Sequence, residues 1–431
     1  MVQCPEVHTL VTLNNMLFRP FSQGIIALIA VFLSGGMSLQ AQGTTDLAAW
    51  KAPQNADAVP DWARRMLSNR DLRDATGTAR EELLARTLAA IKDIASDSNV
   101  VPSTRYNAIL AAGQLVSVEP SLGNPPVAYP DALPYLIEVY QRPNAPHYLK
   151  YGALLGIVRH TNLGIEANLR DKVIDLLLDT VLTEFVPGEN TLDSTPFEPA
   201  AWGWFRQTAL EGLSALKTVG SNNKVVTDLI AVINCKSEEL EDLTGDEEVL
   251  TRSNWERSGR VAELAAKAAK TLGDLNYSDA TDIDAKKIAD AFIRLTKAVC
   301  EINGKIAAES TERGGTSPDP AVLLERIVIN VKMCTQSVVW GFRSSLLTGK
   351  PAEESFYTSL GTEDTESRRM DMLLAEVTKL STFLDEGDGT RRPVLGANLP
   401  KEFLFNLSEL RDALARTSEA LQEKREPVFV P

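Results

Sequence analysis

Three stretches of the chain share one pattern of small and apolar residues. The sequences RYNAILAAGQL, KYGALLGIVRH and RQTALEGLSAL begin at Arg105, Lys150 and Arg206, and each places an alanine three residues after the leading base. These alanines are 45 and 56 residues apart, and a fourth stretch from Ala262 keeps the small residues without the base. Small residues on one helix face let a neighbouring helix approach closely, so the pattern predicts a repeated packing unit.

Each of these stretches follows an amphipathic segment. In the upstream segments apolar residues recur three and four positions apart, as at Val173, Leu176 and Leu177, which is the spacing of one helix face. The upstream segments span residues 79–94, 131–140, 168–182 and 223–233. Residues 79–275 are therefore predicted to form four consecutive helical hairpins.

The second hairpin, residues 131–160, resembles a HEAT repeat of the armadillo-type helical-repeat family. Its first helix has Pro134 near the start, a short turn follows, and the second helix opens on a base and continues through Ala and Leu. The family often stacks an Asp of the turn and an Arg of the second helix into a ladder, and the matching positions here are Asn144 and Lys150. The resemblance covers residues 79–275, and it implies a right-handed α-solenoid that binds proteins more often than it catalyses reactions.

After residue 275 the apolar spacing changes. Apolar residues alternate four and three positions apart from Ile288 to Ile306, and three later segments have similar spacing. These segments span residues 324–338, 370–380 and 407–421. Four long helices with narrow apolar faces are typical of an antiparallel bundle. The sequence thus predicts an all-α chain, a solenoid followed by a bundle at 276–425, with a continued solenoid as the alternative and no sheet beyond a stray bridge.

The first 43 residues have the three-part form of a secretory signal. Arg19 precedes the apolar run 24–33, and small residues lead to a predicted cleavage site after Gly43; translation starts at Met1 or Met16. The run has 10 residues, whereas a membrane-spanning helix needs about 20, so no permanent membrane span is expected after cleavage. We predict a bacterial protein exported to the periplasm or the cell surface. Its other segments are an N-terminal extension, residues 44–78, and an extended tail, residues 426–431.

Charge and motif content exclude several classes of function. The net charge is −14, with 58 acidic and 44 basic side chains, and nucleic acid is not an expected partner because binding it requires clustered Lys and Arg. The sequence has no GxSxG, Walker, GxGxxG or HExxH motif, so we predict no enzyme activity and no cofactor. His147 and His160 are expected to be solvated or to cap helices. Cys300 and Cys334 are predicted to be buried free thiols or, alternatively, a disulfide.

Two insertions, residues 185–205 and 236–257, interrupt the repeats. Insertions in repeat proteins gather on one face, often the binding face. Buried aromatics would supply affinity, with at least one of Trp202 and Trp204 anchored inward. The carboxylates would attract a basic partner, and calcium is not expected because their spacing matches no known calcium loop. The predicted partner-binding residues are Trp202, Trp204, Trp255, Glu238, Glu239, Glu241 and Asp242.

These features predict an exported, non-catalytic scaffold or adaptor that binds another protein through a helical-repeat surface. The alternative is a helical toroid that binds or cleaves a polysaccharide. In that case Glu189, Asp193 or Glu198 would act beside a platform of tryptophan rings. A glycosidase needs two carboxylates on opposite walls of a cleft, and such an arrangement is a property of the folded chain.

Overall fold

The computed structural model places most of the predicted helical region. The described residues are 72, 74–183, 199–245, 252–278, 280, 283–312, 320–347, 371–380 and 411–421. The chain divides into two compact units, residues 1–111 and 112–431. The predicted leader, most of the N-terminal extension and the tail 426–431 lie outside the described residues. Within the described part, no helix has the length and apolar content needed to cross a membrane.

The first unit contains α1, Gly77–Ser96, and most of α2, Pro102–Gln114, which ends in the second unit. α1 buries the apolar face predicted from its spacing, including Leu84. Arg105 at the start of α2 donates its Nε–H to the carbonyl oxygen of Ala95 at 3.0 Å. The last carbonyls of a helix have no partner within that helix, so this bond satisfies one of them.

The second unit is built almost entirely of helices, and the predicted all-α class is confirmed. Its elements α3 to α10 are Ala132–Gln141, His147–Leu163, Ala167–Leu182, Pro199–Leu216, Lys224–Gly245, Arg252–Asp274, Ala285–Glu312 and Pro320–Leu347. Residues 371–380 and 411–421 are also helical, and a short 3-10 turn, Ser221–Asn223, precedes α7. The predicted helices are thus present, although α6 and α7 extend well beyond their expected bounds.

The helices of the second unit pack as successive hairpins in two layers. α3 packs on α4, α5 on α6, α7 on α8, and α9 on α10. α4, α6, α8 and α10 contact one another in that order and form the even-numbered layer. α5, α7 and α9 contact one another in the odd-numbered layer. α3 joins this layer through Tyr140, whose hydroxyl lies 2.5 Å from Oγ1 of Thr180 in α5.

Neighbouring helices of the even-numbered layer run parallel. Ser214 of α6 donates its hydroxyl to Oδ2 of Asp274 in α8 at 2.6 Å, across 60 positions of sequence. Thr271 of α8 lies 3.4 Å from the carbonyl oxygen of Leu210 in α6, across 61 positions. Because the two contacts join residues separated by nearly the same number of positions, α6 and α8 run in the same direction. Stacked hairpins require this orientation.

The small-residue stretches lie where these hairpins meet. Gly156 stands six residues after the leading base Lys150. A Cβ atom on Gly156 would lie 2.8 Å from Cδ1 of Leu136 in α3 and 3.2 Å from the Cα of Gly113. The glycine therefore lets α4 approach both its own hairpin partner and the end of α2.

The third stretch repeats this arrangement. Gly212 stands six residues after Arg206, and a Cβ atom there would lie 2.9 Å from Cδ1 of Leu177 in α5 and 3.0 Å from Cγ2 of Val158 in α4. Val158 stands eight residues after its own leading base, as Gly113 does in the first stretch. The shared sequence phase thus corresponds to a shared packing position.

A small β-hairpin links α2 and α3. β1, Val116–Val118, pairs antiparallel with β2, Val127–Ala128, with Val118 opposite Val127. The prediction of no sheet beyond a stray bridge is wrong here, because two valine-bearing segments flank a tight turn. Gly123 in that turn has a φ of 85°, which favours glycine over other residues.

The helices after residue 275 make two kinds of contact. α9 packs on α7, and α10 packs on α8, in the same order as the earlier hairpins. The segment 411–421 packs on α9: Ser418 donates its hydroxyl to Oε1 of Glu301 at 2.8 Å, and a Cβ atom on Gly304 would lie 3.8 Å from Cβ of Leu414. The opposite order of these pairs along the two helices makes this contact antiparallel.

Cys300 and Cys334 are buried free thiols on α9 and α10. Burial raises the pKa of the Cys300 thiol to about 12. Burial, with the neighbouring Cys300, also raises the pKa of Cys334. Both side chains therefore pack as small neutral apolar groups, the first of the two predicted states.

Candidate partner-binding site

Trp202 and Trp204 lie in the first turns of α6, so this part of the predicted insertion is helical. The indole N–H of Trp202 donates to the carbonyl oxygen of Thr183 at 3.0 Å, and its ring stacks on Phe205 with centroids 5.2 Å apart. Trp204 is 55% exposed. One tryptophan is thus anchored inward, as expected, and the other faces solvent. Residues 185–198 of this insertion lie outside the described residues.

The predicted acidic insertion, residues 236–257, is mostly helical. α7 continues through Gly245, and α8 begins at Arg252, so residues 236–245 and 252–257 belong to the hairpin helices and do not interrupt the repeat as predicted. Residues 246–251 lie outside the described residues. Leu240 and Leu243 are buried and continue the apolar face of α7. The spacing of three positions between these leucines is typical of a helix and could have been recognised in the sequence, in spite of the many carboxylates around them.

Glu239 is an internal ion-pair partner rather than an open carboxylate. Its Oε2 lies 2.9 Å from Nζ of Lys236, and its Oε1 lies 2.7 Å from Nη2 of Arg257. Burial alone would raise the pKa of Glu239, but the hydrogen bonds from these two bases outweigh it and the pKa lies below its ordinary value. Glu239 therefore joins the end of α7 to the start of α8.

Glu241 forms the corresponding link between α7 and α9. Arg294 donates Nε–H and Nη2–H to its two carboxylate oxygens at 2.9 and 2.7 Å. This hydrogen bonding, with the negative charges of Glu238 and Asp242, raises the pKa of Arg294. Glu238 and Asp242 themselves are exposed. Of the four predicted acidic residues, these two are exposed and unpaired among the described residues, whereas Glu239 and Glu241 are partly exposed and form ion pairs with Arg257 and Arg294 of neighbouring helices.

The base that opens the repeat has a structural role. Arg206 donates its Nε–H to the carbonyl oxygen of Val181 in the last turn of α5 at 2.7 Å, as Arg105 does to Ala95 in the first unit. A cation at this position also offsets the negative end of the helix dipole. At the matching Lys150, burial lowers the pKa of the side-chain amine.

Trp255 is buried, with 7% of its surface exposed, so it is not an open contact residue. Its indole N–H has no hydrogen-bond partner. The guanidinium group of Arg326 in α10 lies 5.2 Å from the centroid of its ring. This pair is separated by 71 positions, and Lys270 and Trp340 by 70, so α8 and α10 are parallel.

The structure brings the predicted residues to one end of the stacked hairpins. Because α6, α8 and α10 are parallel, their first turns lie at the same end of the even-numbered layer, and α7 ends beside the start of α8. Of the seven predicted residues, Trp204, Glu238 and Asp242 are open to solvent at this end. The other four contribute to packing.

The sequence reasoning missed a polar cluster at Asp274. This carboxylate accepts hydrogen bonds from Ser214 at 2.6 Å, Lys270 at 3.0 Å and the indole N–H of Trp340 at 2.7 Å. The cluster joins α6, α8 and α10. Only the lysine, four residues away on the same helix, could have been paired from the sequence.

The chain matches no protein-family model, and comparisons with curated proteins and with solved structures gave no significant match. Within the described residues, no group of three or more His, Cys, Asp and Glu side chains is placed to hold a metal ion. The function of these surfaces is therefore inferred from their own geometry and charge.

Proposed function

We propose that the chain is an exported, non-catalytic scaffold or adaptor that binds another protein through a helical-repeat surface. The observation that carries this proposal is the common packing position of the repeats. Gly156 and Gly212 each contact the residue eight positions after the base of the preceding stretch. A regular stack of hairpins presents a long side-chain surface, and such surfaces are used for binding.

The finer architecture belongs to the same proposal. We infer a HEAT-like solenoid, because from α3 onward each hairpin packs on the next in two ordered layers. Its right hand is what the resemblance to HEAT repeats implies. α9 and α10 follow the same order, which supports a solenoid that extends past residue 275. The antiparallel contact between α9 and residues 411–421 supports a bundle around the last hairpin.

The cellular setting rests on the sequence alone. The leader predicted over residues 1–43 supports a bacterial protein in the periplasm or at the cell surface. Glu238 and Asp242 remain the acidic residues that could attract a basic partner. Attraction between such exposed charges weakens as salt increases, because ions screen charges beyond about 8 Å at physiological ionic strength.

The proposal is tested by capturing partners from the native envelope with the tagged mature chain. Proteins retained by the folded chain, and not by a heat-unfolded sample, are identified by mass spectrometry and then purified for a direct binding measurement. At least one purified protein should bind the chain in a defined ratio. If none binds, the scaffold function is wrong.

The polysaccharide function is retained as a second candidate because Trp204 exposes 55% of its surface on the first part of α6. Exposed tryptophan rings can stack on sugars. Glu189, Asp193 and Glu198, the carboxylates considered for cleavage, lie outside the described residues. A glycan array with the mature chain tests this function: binding that is lost in Trp204→Ala would favour it over the protein scaffold.

A further inference from the structure

The side of the even-numbered layer that faces away from the odd-numbered layer carries a surface of side chains that are not buried. On α8, the side chains between 260 and 274 that are not buried recur three or four positions apart, and all are charged. They are Arg260, Glu263, Lys267, Lys270 and Asp274. This spacing places them in one stripe along the helix.

The stripes of the flanking helices join the stripe of α8. The residues that line them are Trp204, Gln207 and Glu211 of α6 and Ile329, Met333 and Trp340 of α10. Lys267 of α8 lies 3.1 Å from Oε1 of Gln207, and Asp274 accepts the indole N–H of Trp340 at 2.7 Å. These contacts show that the three stripes face the same side of the layer.

Two large apolar side chains flank the charged stripe. Trp204 on α6 is 55% exposed, and Ile329 on α10 is 49% exposed. Burying such side chains against a partner supplies affinity, and tryptophan is among the residues that most often dominate binding energy. Ile329 is aliphatic and offers no flat ring for a sugar, so this surface suits a protein segment better than a polysaccharide.

Two arginines on this side, and Glu263 of the α8 stripe, lack a partner among the described residues. Lys267 and Lys270 have carboxylate partners, Glu211 at 3.4 Å and Asp274 at 3.0 Å. On α4, Tyr151, Leu155 and Arg159 are not buried and recur four positions apart, and the Tyr151 hydroxyl lies 3.4 Å from Oγ1 of Thr208, next to Gln207 in the α6 stripe. Among the described residues, neither Arg159 of α4 nor Arg260 of α8 has a hydrogen bond or an ion pair.

Two further observations support an anionic partner. Arg159 is exposed and therefore accessible to a partner, although partial burial lowers the pKa of its guanidinium group. On α10, Arg326 lies over the ring of Trp255, with no carboxylate partner among the described residues. In a chain of net charge −14, a surface of unpaired guanidinium groups is complementary to carboxylates.

We propose that the outward side of α4, α6, α8 and α10 binds an acidic segment of a partner protein that carries a large apolar side chain. Arg159 and Arg260 contact the carboxylates, and Trp204 contacts the apolar side chain. This inference rests on the proposed scaffold function and specifies the surface and the partner chemistry.

The test uses three sets of synthetic peptides of equal length, acidic, basic and neutral, each with a central Trp or Leu. Binding to the full mature chain is followed by fluorescence anisotropy. The variants are the double substitution Arg159→Glu with Arg260→Glu, and Trp204→Ala. The matched control is Arg170→Glu, which changes an exposed arginine of α5 in the odd-numbered layer. Circular dichroism verifies that each variant is folded.

Acidic peptides should bind the native chain best, and the double variant should weaken their binding by about tenfold or more, because it places like charges opposite the peptide carboxylates. Trp204→Ala should also weaken binding, and Arg170→Glu should not. The proposal is overturned if acidic peptides do not bind, if basic or neutral peptides bind equally well, or if the double variant binds acidic peptides like the native chain. Binding of polyuronate oligosaccharides without acidic peptides would likewise overturn it.

Envelope capture with the native chain and the double variant separates this proposal from the scaffold function. If a purified partner binds both chains equally, the scaffold function stands and the partner uses another surface. If no purified protein binds the native chain, the scaffold function itself fails. Loss of the partner only in the double variant is the expected result.

Discussion

Gly113 of α2 lies directly against Gly156 of α4: a Cβ atom on Gly113 would lie 2.5 Å from the Cα of Gly156. That distance is too short for any side chain, so Gly113→Ala must displace backbone. We expect this substitution to lower the free energy of unfolding by about 1 to 3 kcal/mol, the usual cost of overfilling a packed contact. Chemical denaturation followed by circular dichroism measures the change.

Gly203→Ala is the matched control, since Gly203 also lies in a helix but a Cβ atom there has nothing within 4 Å. Alanine stabilises a helix relative to glycine by about 1 kcal/mol or less. This variant should therefore be as stable as the native chain or slightly more stable. Equal destabilisation by the two alanines would mean that Gly113 is not at a helix contact.

The hydrogen bond from Arg206 to the carbonyl of Val181 predicts a cost for removing the leading base of the third stretch. Arg206→Met keeps much of the apolar bulk but leaves the carbonyl without its charged donor. We expect a loss of about 1 to 3 kcal/mol in the free energy of unfolding. Arg170→Met, at an exposed position of α5, should change it little. Similar free energies of unfolding for the two variants would mean that Arg206 does not cap α5.

Glu241 is predicted to stabilise the fold, and Glu238 is predicted to bind a partner. Glu241→Gln removes the paired carboxylate of Arg294 and should lower stability by about 1 kcal/mol or less, because the pair is partly exposed. Glu238→Gln should leave stability unchanged and, if a basic partner binds at the end of α7, should slow its association. Association rates measured at low and high salt test the second part. A stability loss confined to Glu238→Gln would contradict these assignments.

The buried side chain of His160 makes the folded chain less stable as the pH is lowered. His160 is 2% exposed, and burial, followed by the positive charge of Arg159, lowers its pKa to about 4. The expectation that His160 is solvated is therefore wrong, whereas its place in the last turn of α4 is that of a possible cap. An unfolded chain protonates this histidine near pH 6.5. Between about pH 6.5 and 4 the unfolded state binds the extra proton, so stability falls as the pH is lowered through this window and this contribution levels off below it.

Denaturation curves of the native chain and of His160→Gln across this window isolate the effect, because the carboxylates titrate in both proteins. The native chain should lose more stability on acidification than the variant. Parallel pH profiles would mean that the folded chain protonates His160 as readily as the unfolded chain does.

Local pattern predicted the helices, but not which charges meet. The spacing around Val173 placed α5 correctly, because burial of one helix face depends on nearby residues. Glu241 and Arg294 are 53 positions apart, and their pairing depends on how α7 and α9 stack. The sequence alone therefore predicts an insertion whose carboxylates are all open to a partner, although Leu240 and Leu243 continue the buried face of α7. The same limit applies to Asp274, whose partner Trp340 belongs to another hairpin.

Ala209 tests the stacked repeat most directly. It is the alanine that stands three residues after Arg206 in the third stretch, and it is fully buried, with 0% of its surface exposed. Ala209→Leu should lower the free energy of unfolding by about 1 to 3 kcal/mol, because a packed hairpin contact cannot accept three more carbons without shifting backbone. Ala231→Leu, at an exposed position of α7, should have little effect in the same chemical denaturation experiment. If Ala209→Leu is as stable as the native chain, the packing position shared by the three stretches is contradicted. The repeat, and the binding surface proposed from it, would then be wrong.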